Sequence, residues 1–151
     1  AWSMTGWRLG WCAAPEPIAK AIDAIQSHST SNPTSFAQKG AVAALTGPQD
    51  HLPLWLAEFA KRRTYAWQKL NSIPGLTCVN AKGAFYLFPN ISRTGLKSTE
   101  FCAKLLEQEK VAAVPGIAFG ADDYIRLSYA TSLANIEKGL ERIERFCRGL
   151  L

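Results

Sequence analysis

Tyr124-Ile125-Arg126-Leu127-Ser128-Tyr129 alternates between apolar and polar side chains, a pattern that predicts a β-strand with one buried face. Arg126 lies in the middle of this segment, on the face opposite the aliphatic side chains. A guanidinium among apolar residues is costly to bury unless it is paired. The pattern therefore leaves two interpretations of Arg126 open: it pairs with an internal carboxylate, or it receives the carboxylate of a ligand.

The sequence on both sides of this strand predicts a small sheet packed against helices. The segment at 83–88 is apolar on both faces, so we expect it to be a central strand. Ser98 and Ser132 each precede an apolar helical pattern and are expected to cap it. Together these elements predict a compact α+β unit from Thr77 onward. The expected elements are strands at 77–79, 83–88 and 111–114, and helices at 98–109 and after Ser132.

The first 48 residues have a different pattern, with one expected strand at 6–13 and two helices, of which one follows Pro15 and the other spans about 34–45. They contain too little sheet to form a domain alone. We therefore expect residues 1–48 to be the end of a larger domain and residues 49–151 to be a smaller one. A long amphipathic helix at about 50–71 would connect the two. Its expected buried stripe is Leu52, Trp55, Leu56, Phe59, Ala66, Trp67 and Leu70.

Composition excludes several classes of protein. The 151 residues are 48% hydrophobic and 19% charged, which is enough apolar surface for a folded core. The formal net charge of +5 is spread along the chain. Its tightest cluster, Lys61-Arg62-Arg63, lies on an amphipathic helix and indicates a solvated face rather than a nucleic-acid site. No run of about 18 apolar residues is present, so no membrane span is expected.

The cysteines and the N-terminus favour a reducing, cytoplasmic location, and the histidines do not indicate a metal site. The first residues, Ala1-Trp2-Ser3, show no signal peptide. His28 and His51 have no neighbouring ligand residues at metal spacing, so no metal site is expected. The four cysteines lie far apart and are expected to be small buried side chains rather than disulfide or zinc partners: Cys12, Cys78, Cys102 and Cys147.

Two other segments could bind an anion. Arg8 would share a strand face with Gly10, which leaves room for a phosphate, although an ion pair on the surface is the alternative. Ser31 and Asn32 precede a helix, where capping is favoured over anion binding. The segment 115–120 is a glycine-punctuated loop of the kind that shapes binding sites.

Five blocks of sequence occur in an order that resembles a known enzyme family. Residues 1–10 read Ala-Trp-Ser-Met-Thr-Gly-Trp-Arg-Leu-Gly, and four further blocks follow at 30–39, 83–89, 114–120 and 124–132. Together they resemble class I, fold-type-I aminotransferases, and most of all the bacterial aspartate and aromatic aminotransferases. The resemblance implies an α/β fold, with the C-terminal end of the large pyridoxal-phosphate domain followed by the small α+β domain.

The resemblance also implies roles for individual residues. Arg8 matches the arginine that holds the cofactor phosphate. Arg126 matches the arginine that grips the substrate α-carboxylate, and Phe119 matches an aromatic residue in the loop near the substrate. The resemblance implies a homodimer, and Ser31 and Asn32 match a loop that lies near the neighbouring subunit's site.

The family's catalytic lysine has no counterpart in this sequence. It would immediately precede Ala1, and Lys20 and Lys39 stand at the wrong spacing. We therefore expect a C-terminal fragment of an aminotransferase that exchanges amino groups between an amino acid and a 2-oxo acid, and we expect the fragment alone to be inactive. The alternative is a non-catalytic dimerisation or regulatory module derived from such an enzyme.

Overall fold

The computed structural model describes residues 1–150. They divide into two compact units, Ala1–Leu54 and the described residues from Trp55 onward. Helix α3 begins in the first unit and continues into the second. Three short 3₁₀ turns occur at Thr5–Trp7, Ser92–Thr94 and Gly116–Phe119. The helices are α1 (Glu16–Ser29), α2 (Ser35–Thr46), α3 (His51–Ser72), α4 (Ser98–Glu109) and α5 (Leu133–Arg148), and the strands are β1 (Tyr86–Leu87), β2 (Val114–Pro115) and β3 (Ile125–Ser128).

The prediction of a strand at residues 6–13 is wrong. Thr5–Trp7 forms a 3₁₀ turn, and Arg8 follows it in the left-handed conformation with φ 56°. The amides of Trp7 and Arg8 donate to the carbonyls of Met4 and Thr5. A strand needs a neighbouring strand to satisfy its backbone groups, and the described part of the first unit has none. Local turn hydrogen bonds take its place.

The two helices of the first unit form where the sequence indicates. Pro15 precedes α1 and α2 ends at Gly47, as the proline and glycine signals predict. The apolar side chains of both helices are largely exposed within the chain, including Ile25 at 68% and Phe36 at 72%. Ala37 is the buried residue of α2. The apolar faces of α1 and α2 thus have little cover within the described chain.

Helix α3 buries only the C-terminal half of its expected stripe. Ala66 and Leu70 are buried, but Trp55 is 42% and Leu56 69% exposed. The expectation of a continuous stripe is therefore wrong for the first turns of the helix. Farther along, Trp67 is half-buried and its indole Nε1 donates to the carbonyl of Cys78 at 2.9 Å.

The second unit contains a three-stranded antiparallel sheet in the order β1-β3-β2. β3 is central, so the expectation that 83–88 would be central is wrong. Ala84 has φ 57°, which interrupts the extended chain and shortens β1 to an edge strand of two residues. The strand expected at 77–79 is reduced to a single bridge between Thr77 and Asn90, and Val114 begins the strand expected at 111–114.

One face of the sheet packs against α3, α4 and α5. Ile125 and Leu105 are fully buried, and the rings of Phe101 and Phe146 meet edge-to-face at 5.1 Å between α4 and α5. Ser132 caps α5 as expected, since its hydroxyl accepts from the amide of Asn135 at 3.2 Å. The core holds one face of β3 in place, so the opposite face is available for chemistry.

Candidate active site

Arg126 extends from the exposed face of β3, between two aromatic rings. Its guanidinium carbon is 4.3 Å from the ring centre of Tyr86 and 4.6 Å from that of Phe119. Both distances are within the range of cation–π contacts. Arg126 is half-buried and Phe119 is 49% exposed, so the pair lies at the border between protein and solvent.

The register of the sheet places Tyr86 beside Arg126. Tyr86 pairs with Ser128 across the β1–β3 ladder, and Arg126 lies two residues from Ser128 on the same face. Residues diagonal to each other on one face are within reach of a long side chain. No local motif identifies Tyr86 as a site residue, because the signal that reveals it is the strand register.

Phe88 and Tyr124 support Phe119 from the side. The rings of Phe88 and Tyr124 stack at 5.0 Å with an interplanar angle of 10°, and Phe88 meets Phe119 edge-to-face at 6.0 Å. The sequence analysis did not single out either residue as functional. Offset stacks and edge-to-face pairs restrict ring orientation. Phe119 is thus held between Phe88 and the guanidinium of Arg126.

No carboxylate of the described residues pairs with the guanidinium of Arg126. Within residues 1–150, no ion pair or hydrogen bond uses its N–H groups. The two aromatic contacts are made without using the N–H donors, which stay without a protein acceptor among these residues. A carboxylate accepts two such donors in the plane of the fork. Of the two interpretations left open by the sequence, the geometry favours the ligand carboxylate.

The loop that carries Phe119 is tightly closed. A Cβ added to Gly116 would lie 2.2 Å from the carbonyl oxygen of Ala121 and 2.3 Å from that of Tyr124, so no side chain fits there. The amide of Gly116 donates to the Tyr124 carbonyl at 2.8 Å, and the Ala121 amide donates back to Gly116 at 3.0 Å. Gly120 ends the turn at φ 75°, a conformation that favours glycine. The loop is fixed at both ends.

Arg8 belongs to the first unit and is exposed. Its Nη1 donates to the carbonyl of Thr5 at 3.4 Å, and no carboxylate within residues 1–150 forms an ion pair with it. Added Cβ atoms at Gly6 and Gly10 would meet nothing within 4 Å. Arg8 and Gly10 do not share a strand face, contrary to expectation. An exposed guanidinium without a carboxylate partner in this part of the chain still suits a phosphate.

Ser31 and Asn32 are exposed in the connection between α1 and α2. Ser31 has φ 63°, in the left-handed region. The interpretation that they cap α2 is wrong: Thr34 is the residue before the helix, and the helix start has no side-chain capping bond. The chain turns too early, at 31–33, for either side chain to reach the first helical amides.

The remaining titratable side chains offer no further centre. Within residues 1–150, no group of three His, Cys, Asp or Glu side chains could hold a metal ion, and no helix is long and apolar enough to cross a membrane. The four cysteines are free thiols. Burial raises the pKa of Cys102 to about 11 and that of Cys147 to about 12, whereas Cys12 is exposed, contrary to expectation.

Comparison with known proteins identifies the family. Residues 1–143 match the family model of aminotransferase class I and II. The chain is 52% identical over 149 residues to the aspartate aminotransferase of Geobacillus stearothermophilus, and equally to that of Bacillus subtilis (strain 168). In each case the match covers 95% of this chain and 38% of the relative.

Solved structures agree with the sequence relatives. The crystal structure of the aspartate aminotransferase from Rhizobium meliloti matches 97% of this chain with 42% identity and a TM-score of 0.88. That of the aromatic aminotransferase from Pyrococcus horikoshii OT3 matches 99% with 40% identity and a TM-score of 0.91. The chain covers 39% and 41% of those two structures. The expected fold is confirmed: a partial α/β fold of the fold-type-I aminotransferases.

The chain spans about 38% of the length of the curated relatives it matches. The sequence relatives and the solved structures both belong to the aminotransferases. This chain belongs to the class I and II aminotransferase family.

Proposed function

We propose that these residues are the C-terminal part of a pyridoxal-phosphate-dependent aminotransferase, which moves an amino group between an amino acid and a 2-oxo acid. The observation that carries the proposal is Arg126, whose unpaired guanidinium edge is presented between Tyr86 and Phe119. Amino acids and 2-oxo acids share one group that both must present, the α-carboxylate. A planar fork of N–H donors binds that group in either substrate.

Arg8 would hold the phosphate of the cofactor. Its exposed guanidinium without a carboxylate partner and the open space at Gly6 and Gly10 fit a phosphate group. Pyridoxal phosphate, when bound, supplies the electron sink that makes amino-group transfer feasible. The chain's own contribution is to bind: Arg8 takes the phosphate and Arg126 orients the substrate by its carboxylate.

We propose aspartate as the first amino donor to test. Two curated relatives at 52% identity are named aspartate aminotransferase. A relative from Nitrosomonas europaea, at 44% identity, is named aspartate/prephenate aminotransferase. Arg126 recognises any α-carboxylate and so does not choose between donors. Aromatic amino acids, alanine and prephenate-type acceptors are the other members of the substrate panel.

The domain assignment and the assembly are proposals as well. We assign residues 1–48 to the large cofactor-binding domain and residues 49–151 to the small domain. We propose a homodimer in which Ser31 and Asn32 lie near the neighbouring subunit's site. The exposed apolar side chains of α1 and α2 support further burial in the whole protein. The free thiols support a cytoplasmic location.

The non-catalytic module is the weaker alternative. A dimerisation or regulatory domain has no need to keep an unpaired arginine between two aromatic rings, because burying a charge without a partner costs stability. The contacts with Tyr86 and Phe119 do not supply an acceptor for its N–H groups, and no ion pair or hydrogen bond within residues 1–150 does so. We therefore retain the enzyme as the proposed function.

The decisive experiment is an assay of the full-length enzyme. The protein is loaded with pyridoxal phosphate and supplied with 2-oxoglutarate and each amino donor in turn, and the 2-oxo acid product is measured. We expect turnover with aspartate. Absence of turnover with every donor, in a protein that is folded and binds the cofactor, would rule out the proposed function.

A further inference from the structure

Ser98 is a buried polar residue that is hydrogen-bonded to the turn carrying Phe119. It is the first residue of α4 and has 0% of its surface exposed. Its hydroxyl donates to Oδ1 of Asp122 at 2.6 Å. The same hydroxyl accepts from the amide of Ile117 at 3.2 Å. Ser98 therefore joins three segments of the second unit: α4, the turn that precedes β3, and the Gly116–Phe119 turn.

The hydrogen bonds around Ser98 are directional, which sets the geometry of all three segments. The Ser98 amide donates to the Asp122 carbonyl at 3.0 Å and to its Oδ1 at 3.2 Å. Because Oδ1 can only accept, the Ser98 hydroxyl proton must point to Asp122, and its lone pair is then directed at the Ile117 amide. The Ser98 hydroxyl thus bridges Asp122 and Ile117 in one fixed orientation.

The anchored amide lies two residues before Phe119. Ile117, whose amide binds Ser98, has a side chain that is 54% exposed, so the backbone rather than side-chain packing holds this part of the turn. Phe119 lies at the end of the same turn and stacks 4.6 Å from the guanidinium of Arg126. A change in the position of Ile117 would be transmitted to the ring of Phe119.

We propose that Ser98 is a positioning residue for substrate binding. Through its bridge between Asp122 and Ile117 it holds Phe119 against Arg126, and it thereby sets the affinity of Arg126 for a carboxylate. This inference rests on the proposed function. Ser98 does not touch the substrate, and its effect on binding passes entirely through the Phe119 turn.

The first test is a double-mutant cycle in the full-length holoenzyme, with succinate as the probe because it carries carboxylates and no amino group to transfer. We expect Ser98→Ala and Phe119→Ala each to raise the inhibition constant of succinate about five- to tenfold. If Ser98 acts through Phe119, the double variant is no weaker than Phe119→Ala alone. The proposal would be overturned if the double variant raised the inhibition constant of succinate by the product of the two single increases. It would also be overturned if Ser98→Ala left that constant unchanged.

A matched control lies next to Ser98. Thr99 carries an exposed hydroxyl in the same turn of α4. Thr99→Ala should leave the succinate constant unchanged, and a rise equal to that of Ser98→Ala would overturn the proposal.

Asp122 offers a second route if Ser98→Ala does not fold. Asp122 is only half-buried, so substitution there disturbs the core less. Asp122→Asn keeps an oxygen that accepts from the Ser98 hydroxyl and should retain succinate affinity, whereas Asp122→Ala should lose it to the same degree as Ser98→Ala. Equal affinities in Asp122→Ala and the wild type would overturn the proposal.

Hydrogen–deuterium exchange separates this inference from the proposed function. In the unliganded full-length protein, Ser98→Ala should speed exchange in the peptide 116–120, because the Ile117 amide loses its acceptor. Faster exchange with unchanged succinate affinity would confirm the anchor and overturn the positioning role. Failure of the wild type to transaminate or bind succinate would instead overturn the proposed function.

Discussion

The guanidinium carbon of Arg126 lies 4.3 Å from the ring centre of Tyr86, on the neighbouring strand of the sheet. The contact occurs because Tyr86 pairs with Ser128, which places its ring diagonal to Arg126 on the same face. The contact with the ring does not use the N–H donors of the fork, and a carboxylate can accept them.

Removing the fork should abolish recognition of the carboxylate. Arg126→Ala in the full-length enzyme should raise KM for aspartate and the inhibition constant of succinate by about 30-fold or more, because a charge-assisted bidentate contact is lost. Arg126→Lys keeps the charge but not the fork and should recover only part of the affinity. Steady-state kinetics with a parallel titration of pyridoxal phosphate measures both effects.

The control for that substitution is Arg93→Ala, since Arg93 is exposed in the Ser92–Thr94 turn. It should match the wild type. An unchanged KM in Arg126→Ala would remove Arg126 from the proposed role.

Tyr86 should contribute through its ring rather than its hydroxyl. Tyr86→Phe keeps the stacking surface and should change KM for aspartate less than about twofold, whereas Tyr86→Leu should raise it about three- to tenfold, in line with a partly exposed cation–π contact. KM measured at constant cofactor saturation distinguishes the two. Equal effects of Phe and Leu would show that the stacked ring is not what matters.

Arg8 should affect the cofactor and not the substrate carboxylate. Arg8→Ala is expected to weaken pyridoxal phosphate binding at least about tenfold, because the two hydrogen bonds of the fork to phosphate are lost. Titration of the apoenzyme followed by cofactor absorbance gives the dissociation constant. Lys20→Ala, which removes an exposed lysine of α1 paired with Glu16, is the matched loss of positive charge and should bind normally. Equal weakening in both variants would mean that overall charge, not Arg8, binds the phosphate.

Glu144 should make the second unit sensitive to acid. Its carboxylate accepts from Lys69 of α3 at 2.5 Å and from Arg148, and these bonds hold its pKa below the ordinary value of 4.5. A carboxyl whose pKa is lowered by folding stabilises the folded state above its unfolded pKa and loses that contribution as pH falls through its folded value. The advantage of the wild type over Glu144→Gln should therefore be full near neutral pH and shrink below about pH 4.5.

The measurement for Glu144 is the urea midpoint of each full-length protein as a function of pH. Glu107→Gln, an exposed carboxylate of α4, serves as the control and should show a smaller gap to the wild type at neutral pH. A Glu144→Gln gap that persists unchanged in acid would refute the prediction.

The 151 residues by themselves should not transaminate. The chain spans about 38% of the length of its curated relatives, and we propose that the lysine that carries the cofactor in this family is not among its residues. Incubation with pyridoxal phosphate, aspartate and 2-oxoglutarate should yield no oxaloacetate, while the full-length enzyme tested in parallel should. A stoichiometric adduct fixed by borohydride, together with turnover, would contradict this prediction.

Local sequence predicted the parts of the fold that depend on local chemistry. Ser132 caps α5 and Pro15 precedes α1, as their signals predict. The expected cap at Ser98 is wrong, because Ser98 is the first residue of α4 and the start of that helix has no side-chain capping bond. The sequence alone indicates Arg126 as a candidate binding residue, because a charged side chain in the middle of an apolar strand is unusual. The family resemblance was confirmed by the match over residues 1–143.

Features that depend on distant partners could not be predicted locally. The stretch 6–13 alternates like a strand, but it has no strand beside it in the described chain and turns at Arg8 instead. The place of Tyr86 beside Arg126 follows from the strand register. The bridging position of Ser98 follows from its hydrogen bonds with Asp122 and Ile117. Ser98 is read from sequence as a cap, yet its hydroxyl serves a loop 19 residues away.

Gly116 has a consequence for directed evolution of substrate range. Two backbone carbonyls, of Ala121 and Tyr124, occupy the volume that any side chain at 116 would need. A mutant library that randomises position 116 would consist mainly of misfolded clones. A library that keeps this glycine and varies the exposed Ile117 and Phe119 can retain the anchored backbone in most of its members, so new donor preferences should be sought there.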